Sequence, residues 1–235
     1  MTSLKNIKFY ATQPHSCSYL SGKDATTLFM DPEKPLSQAL YSRLADIGFR
    51  RSGHHIYRPH CSGCKACIPA RIPVSEFSLS RSQKRNWQKN QDIDITEHTP
   101  EFSHEVYGLY ERYIRSQHKD GDMFPPSVEQ FTGFLVDSPD YCCFYQLRIN
   151  GQLIAVAVTD RLKDSLSAIY TFYDPDHGKR SLGRYCILWQ IMKARQLGLK
   201  YLHLGYWVKG CRKMDYKIDY KPMELLINNH WSRLI

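Results

Sequence analysis

No stretch of the 235 residues is apolar for long enough to span a membrane. The opening segment, MTSLKNIKFYATQPHSC, lacks the apolar core of a secretory signal, so the cytoplasm is the expected compartment. There is no internal repeat and no low-complexity run, which excludes solenoids and disordered tails. Cysteine is present at eight positions. In a reducing compartment that argues against a disulfide framework and toward metal or redox use wherever thiols cluster. The length suffices for a buried core, as one large domain or two small ones.

Charge is plentiful but uneven. The chain carries a net +9, distributed as +8 over residues 43–90, −7 over 91–169 and +7 over 170–235. Two basic segments flank an acidic one. If they converge they make a face for a polyanion; if not, they are two solvated surfaces. Interleaved aromatics favour the first reading.

Periodicity gives the elements. Residues 1–30 read as irregular. A helix is expected after Pro35, with Leu40, Leu44 and Ile47 on one side and Gly48 ending it. Residues 50–59 resemble one basic strand, and Ala70 to Val74 a short strand limited by Pro69 and Pro73. A basic helix is expected over 80–90, an acidic strand around Ile93 and Ile95, and helices over 101–117 and from Ser127. Asn150-Gly151 between two alternating runs signals a hairpin over 141–161, followed by a third antiparallel strand over 165–173. A helix containing Tyr185, Leu188 and Met192 then leads to a strand over 199–206, a helical piece near 211–219 and a last strand over 223–228.

The resulting class is α+β: a small N-terminal cysteine-bearing domain over residues 1–79, then a mixed-sheet domain over 80–235. The order β-α-α-β-β-β-α-β-α-β of the second part resembles the GCN5-related N-acetyltransferase fold. There a strand parts from its neighbour beside the start of a helix, and the gap receives the acyl donor. The matching place here is the segment from Tyr170 to Lys217.

Three constellations carry chemistry. In Cys61-x-x-Cys64-x-x-Cys67 the spacing lets thiolates converge on one ion, and soft sulfur suits a structural zinc or an iron–sulfur centre. Cys17, His54, His55 and His60 are candidates for a fourth ligand, with Cys17 favoured; the alternative is thiols with no metal role. Cys211 reads as a packing residue before a nucleophile. Lys179-Arg180-Ser181-Leu182-Gly183-Arg184 forms a basic turn at a helix start, apt for phosphate. It partly matches the turn that holds coenzyme A in acetyltransferases, but Tyr185 stands where a small residue belongs. The run Gly205 to Lys217, with four cations and three aromatics, suits the end of a single-stranded nucleic acid.

The segments PHSCSYL, RRSGHHIYRPHCSGCKACIPARI, YTFYDPDHGKRSLGRY and LGYWVKGCRKMDYK together resemble the bacterial aspartate/glutamate leucyltransferases, relatives of the eukaryotic arginyl-tRNA–protein transferases. The resemblance runs from about Pro14 to Pro222. It implies transfer of leucine from leucyl-tRNA to the α-amine of proteins beginning with Asp or Glu, which marks them in the N-degron pathway. It implies no required cofactor, no DNA partner and no membrane. In the arginyl relatives the early motif is Cys-x-x-Cys; here it is Cys17-Ser18-Tyr19-Leu20, and Leu20 cannot ligate. For such chemistry Asp174 is expected to orient or deprotonate the amine, and Tyr206 to steady the oxyanion or the departing ribose hydroxyl. Lys179, Arg180, Arg184, Lys209 and Lys213 are expected along the tRNA end, and Arg58 on the acidic side chain. The competing readings are an acetyl-CoA-dependent N-acetyltransferase and a non-catalytic RNA-binding or zinc-ribbon protein.

Overall fold

Two sheets that meet through one hairpin carry the molecule in a computed structural model, which describes residues 7–119 and 121–234. The first six residues of the stretch read for a leader lie outside those described. From the N-terminus run β1 (Phe9–Ala11), the ribbon β2 (His15–Ser16) and β3 (Asp24–Ala25), β4 (Thr27–Met30), helix α1 (Gln38–Asp46), β5 (Arg50–Ser52) and β6 (His55–Pro59). Residues 1–30, expected to be irregular, thus contain four short strands. The single strand expected over 50–59 is a hairpin turning at Gly53, whose φ of +56° suits glycine. β1, β4, β6 and β5 form the smaller sheet.

β7 (Cys67–Pro73), α2 (Arg81–Lys89), β8 (Asp94–His98), α3 (His104–Gln117) and α4 (Val128–Phe131) follow, the last prolonged by a wider π turn over Thr132–Val136. Next come β9 (Cys142–Ile149), β10 (Gln152–Arg161), β11 (Ser165–Tyr173), a 3₁₀ turn at Pro175–Arg180, α5 (Leu182–Gln196) and β12 (Tyr201–Val208). A second 3₁₀ segment at Arg212–Asp219 leads to β13 (Met223–Ile227) and β14 (His230–Leu234). Strand β14 was not expected from sequence. The last hairpin turns on Asn228 and Asn229, both at positive φ, the conformation a two-residue hairpin loop prefers.

The larger sheet has the order β14-β13-β7-β12-β11-β10-β9-β8. The boundary expected at residue 79 does not separate the sheets. β7, drawn from the first 79 residues, lies inside the larger one, between β13 and β12. Its prolines fit because β13 pairs only at Ala70 and Arg71, which leaves Pro69 and Pro73 outside the doubly paired stretch.

Local chemistry explains the helices. Ser37 caps α1 by accepting from Leu40 N–H, and Gly48 leaves it at φ +89° against Pro69. α2 starts with a reciprocal Ser80–Gln83 capping box. α5 packs Leu188 and Ile191 on Leu166 and Leu202 of one sheet face, with Trp87 of α2 alongside. α3 and α4 cover the other face, placing Leu109 and Phe131 on Val156, Val158 and Phe172. The smaller sheet and α1 extend that second layer, joining Leu44 and Ile56 to Tyr141 and Leu162.

A buried ion pair locks the two layers. Arg51 of β5 donates twice, at 2.7 Å each, to Asp160 of β10, and neither side chain is exposed. Burial opposes the charge on Arg51, but the Asp160 carboxylate outweighs it and holds the guanidinium more firmly protonated than usual. Removing one partner leaves the other charge uncompensated. Asp160→Asn is therefore expected to lower stability by about 3–5 kcal/mol, read as a shifted midpoint in urea unfolding.

Candidate active site

The parallel strands β11 and β12 pair only through Ser165–Tyr201, Leu166–Leu202 and Ser167–His203. Beyond that level β11 continues on β10 to Tyr173, and β12 continues on β7 to Val208, so the two part. Each carries an extra residue just past the last pair. On β11 it is Ile169, since Ala168 and Tyr170 face the consecutive Thr159 and Val158. On β12 it is Leu204, since His203 and Gly205 face the consecutive Arg71 and Ala70. A bulge bends its strand and increases the local twist, and two at one level open a crevice. Gly205, at φ +78°, takes the backbone angle that the turn of β12 needs.

Cations occupy the point of divergence. Arg50 of β5 donates to Ser167 Oγ at 2.8 Å and to the Ala168 carbonyl at 2.5 Å. A Cβ on Gly205 would stand 3.3 Å from the Arg50 Nε, so glycine makes room for the guanidinium. From the other side Lys217 donates to the Tyr206 carbonyl at 2.7 Å. Both cations are buried, and neither is paired with a carboxylate among the described residues. Burial, and then Arg50, press the Lys217 ammonium down to about 7. Burial, with Arg50 and Arg71 adding to it, presses His203 down to about 3, so it is a neutral imidazole. On the parted segments the Tyr170 hydroxyl and the Trp207 indole N–H are sealed in without a hydrogen-bond partner.

Asp174 lies at the exit of β11, buried. It accepts from the Asp176 N–H at 3.0 Å and from Arg112 of α3 at 2.9 Å, so it shapes the turn. The start of α5 lies under an aromatic lid: Gly183 lets the Tyr173 ring approach its first turn, where a Cβ would meet the ring at 3.2 Å. Arg180 forks onto Asp92 at 2.9 and 2.8 Å, and its carbonyl accepts from Asn86 of α2 and from Asn90, which caps that helix. Arg184 pairs with Asp219 at 3.1 Å. Lys179, Lys209 and Lys213 are exposed. Arg58 gives one guanidinium N–H to the Ile47 carbonyl at 2.8 Å, outside the crevice.

Tyr206 does not reach the crevice. Its hydroxyl donates to the Gly48 carbonyl at 2.8 Å beneath Tyr57, and burial drives its pKa well above the usual range. The Leu204 bulge is the cause: the extra residue turns Tyr206 to the face of Arg71 and the smaller sheet instead of continuing from Leu202. Asp174 and Tyr206 therefore belong to separate environments, and the residues the structure gathers at the parting are Arg50 and Lys217.

A model of the family described as "Arginine-tRNA-protein transferase, C terminus" matches residues 105–227, and its N-terminal counterpart matches 15–85. A protein of Stutzerimonas stutzeri strain A1501 named aspartate/glutamate leucyltransferase is 58% identical over 234 residues, 100% of each chain. Proteins of the same name from Pseudomonas aeruginosa strain LESB58 and Pseudomonas fluorescens strain Pf0-1 are 55% and 56% identical, over 100% and 98% of each chain. This chain belongs to the aspartate/glutamate leucyltransferase family. Among solved structures, the C-terminal domain of a protein assigned as a lysylphosphatidylglycerol synthetase from Agrobacterium fabrum has a similar fold, at TM-score 0.51 and 14% identity. The alignment covers 79% of this chain and 63% of that one.

In this leucyltransferase-family chain the Cys17, Cys61 and Cys64 thiols lie near Cys67. Cys67 is pushed up to about 11 by burial first, then by Cys17, Cys61, Cys64 and Cys211. Among the described residues no three His, Cys, Asp or Glu side chains stand in a metal-holding group. Cys211 packs with Tyr206 and Val208, in keeping with the packing role expected of it.

Two outcomes follow from the parted strands. Gly205→Ala should cost about 1–2 kcal/mol from the left-handed backbone alone, and should lower transfer further by displacing Arg50; unfolding and initial rates would read both. Unfolded histidine titrates near 6.5, whereas His203 stays neutral to about 3 in the fold, so the unfolded state binds the extra proton between those values. Stability should fall with acidification below pH 6.5, by at most about 1.4 kcal/mol per pH unit from this group. His203→Gln should flatten that slope in urea titrations at successive pH values.

Proposed function

We propose that the protein moves leucine from leucyl-tRNA to the α-amine of proteins whose first residue is Asp or Glu, and so creates the N-terminal signal of an N-degron. The larger sheet is read as an acetyltransferase-like scaffold with an aminoacyl ester in place of an acyl thioester. The observation that carries the reading is the crevice between β11 and β12 beside the start of α5.

The reaction asks little of acid–base chemistry. The ester is already activated, and an α-amine with a pKa of about 7.7–8.0 is partly neutral at physiological pH. The amine nitrogen bonds to the ester carbon, the carbon–oxygen bond to ribose breaks, and the ribose oxygen leaves with the proton the amine gives up. The site's task is positioning and relief of charge on the tetrahedral oxygen. Tyr170 O–H, packed in the cluster under α3 and α4, and Trp207 N–H, packed in the cluster under α5, are sealed on opposite faces of the sheet, so neither is assigned to that oxygen. Asp174, tied to Arg112, sets the exit of β11 and so acts as a positioning residue.

The tRNA end is read along the exposed cations Lys179, Lys209 and Lys213, with Arg184 at half exposure. Arg180 serves that face indirectly, because Asp92 already holds both of its forks. Tyr185, which stands where coenzyme A turns require a small residue, is buried against Trp87 at 5.5 Å, and no observation favours the acetyltransferase alternative.

The test is to supply an Asp-first peptide with leucyl-tRNA or arginyl-tRNA and weigh the product. Gain of one leucine, and no arginine, is the expected result; an unchanged peptide overturns the reading. Lys179→Glu with Lys209→Glu should weaken leucyl-tRNA binding without unfolding the protein. It should also reduce the slope of log affinity against log salt by about 0.7 for each phosphate that the variant no longer neutralises.

A further inference from the structure

We infer that Arg50 and Lys217 together seat the side-chain carboxylate of the acceptor protein's first residue. The inference rests on the leucyltransferase reading and names the part of the site that selects its acceptor. Arg58, the cation expected there from sequence, lies outside the crevice with one guanidinium N–H committed to Ile47.

The first support is an imbalance of charge. Arg50 and Lys217 are only 8% and 7% exposed, yet their partners in the protein are neutral: a serine hydroxyl and two backbone carbonyls. Buried cations are ordinarily paired, as Arg51 is with Asp160 two strands away. The groups around Lys217 offer no such anion. The Tyr216 ring of its own turn lies 5.9 Å from the ammonium but carries no charge, Asp219 turns to Arg184, Asp215 is exposed, and the Tyr206 hydroxyl points to Gly48. Donors remain for a ligand: two N–H of the Lys217 ammonium and the Nε–H of Arg50 beside Gly205.

The second support is location and size. The pair stands where β11 and β12 part, beside the place assigned to the ester. A first residue held there by its carboxylate keeps its own α-amine within three or four bonds of the anchor, close to the reacting carbon. A carboxylate on one or two methylenes can reach buried cations, whereas a phosphodiester flanked by riboses is bulkier, and the exposed Lys179 and Lys209 suit it. The Lys217 stem, four flexible carbons long, can follow the difference in length between Asp and Glu. Burial and Arg50 press the Lys217 ammonium down to about 7, and a bound carboxylate favours it, so binding near pH 8 should draw in a proton.

The test measures calorimetric binding of Asp-first and Asn-first peptides without tRNA, at pH 8 in two buffers of different ionisation enthalpy. The Asn-first peptide cancels the titration of the α-amine. The wild-type protein should bind the Asp-first peptide at least tenfold more tightly, with net proton uptake. Lys217→Met should bring the two affinities close together, and Lys217→Arg should keep the preference while losing the uptake. Leucyl-tRNA binding should be the same in all three. A folded Lys217→Met that keeps the tenfold preference overturns the inference, as does one that loses leucyl-tRNA binding instead, which would give the cations to the RNA. Should Lys217→Met fail to fold, the Lys217→Arg arm decides, and unchanged proton uptake there overturns the inference. Transfer of leucine by the wild-type protein in any of these cases leaves the leucyltransferase reading standing; absence of transfer to every acid-first peptide removes that reading itself.

Discussion

Two consecutive arginines on β5 set the relation between the smaller sheet and the larger one. Neighbouring residues on a strand point to opposite sides, and Arg50 and Arg51 use both. Arg51 reaches Asp160 on β10, where a buried carboxylate offsets the cost of removing a guanidinium from water. Arg50 goes to the place where β11 and β12 stop pairing and serves the backbone there as a hydrogen-bond donor. A parted pair of parallel strands exposes polar groups that a continuous sheet would satisfy, and such groups are costly to leave unmatched. Arg50 takes one of them, the Ala168 carbonyl, and Lys217 takes another, the Tyr206 carbonyl. The crevice is thus stabilised by the two cations buried beside it.

The same arrangement explains what could be read from the chain and what could not. The hairpin at Asn150-Gly151, the capped helices and the strand–helix–strand around α5 were legible because their signals are local. β7 was legible as a strand but not as a member of the larger sheet: its partners Tyr201 to Val208 and Glu224 lie far off in the chain, the nearest pair being Pro73 and Tyr201, and no local pattern encodes them. Tyr206 was misassigned for a sharper reason. Alternation from Leu202 places it on the same face as Leu204, and a single inserted residue reverses that. Nothing in the run Leu202-His203-Leu204-Gly205-Tyr206 marks a bulge except the glycine.

Charge was legible in amount and not in pairing. Arg180 and Arg184 stand at the helix start where expected, yet one is held by Asp92 and the other by Asp219, both supplied from elsewhere in the chain. Lys217 read as one of four cations in a run suited to a nucleic-acid end, and only the fold shows that it points inward to the Tyr206 carbonyl. A lysine in a run such as GCRKMDYK carries no sequence mark of burial. The sign that distinguishes it is a structural one: a buried ammonium with a neutral acceptor.

The division between buried and exposed cations bears on how one site can handle two very different substrates. Exposed lysines are screened by salt and bind a polyanion through many weak contacts, which tolerates variation in where each phosphate lies. A buried pair acts at short range in a medium of lower dielectric and discriminates a charged side chain from its neutral isostere. The first kind lies at the rim, on the turn before α5 and the loop after β12; the second lies at the parting of the strands. Because Arg50 comes from the smaller sheet and Lys217 from the segment after β12, acceptor selection on this scheme needs both parts of the chain. That dependence gives a physical reason for β5 to be locked to the larger sheet by so costly a device as a buried ion pair, since a loosened hairpin would withdraw Arg50 from the crevice along with Arg51 from Asp160.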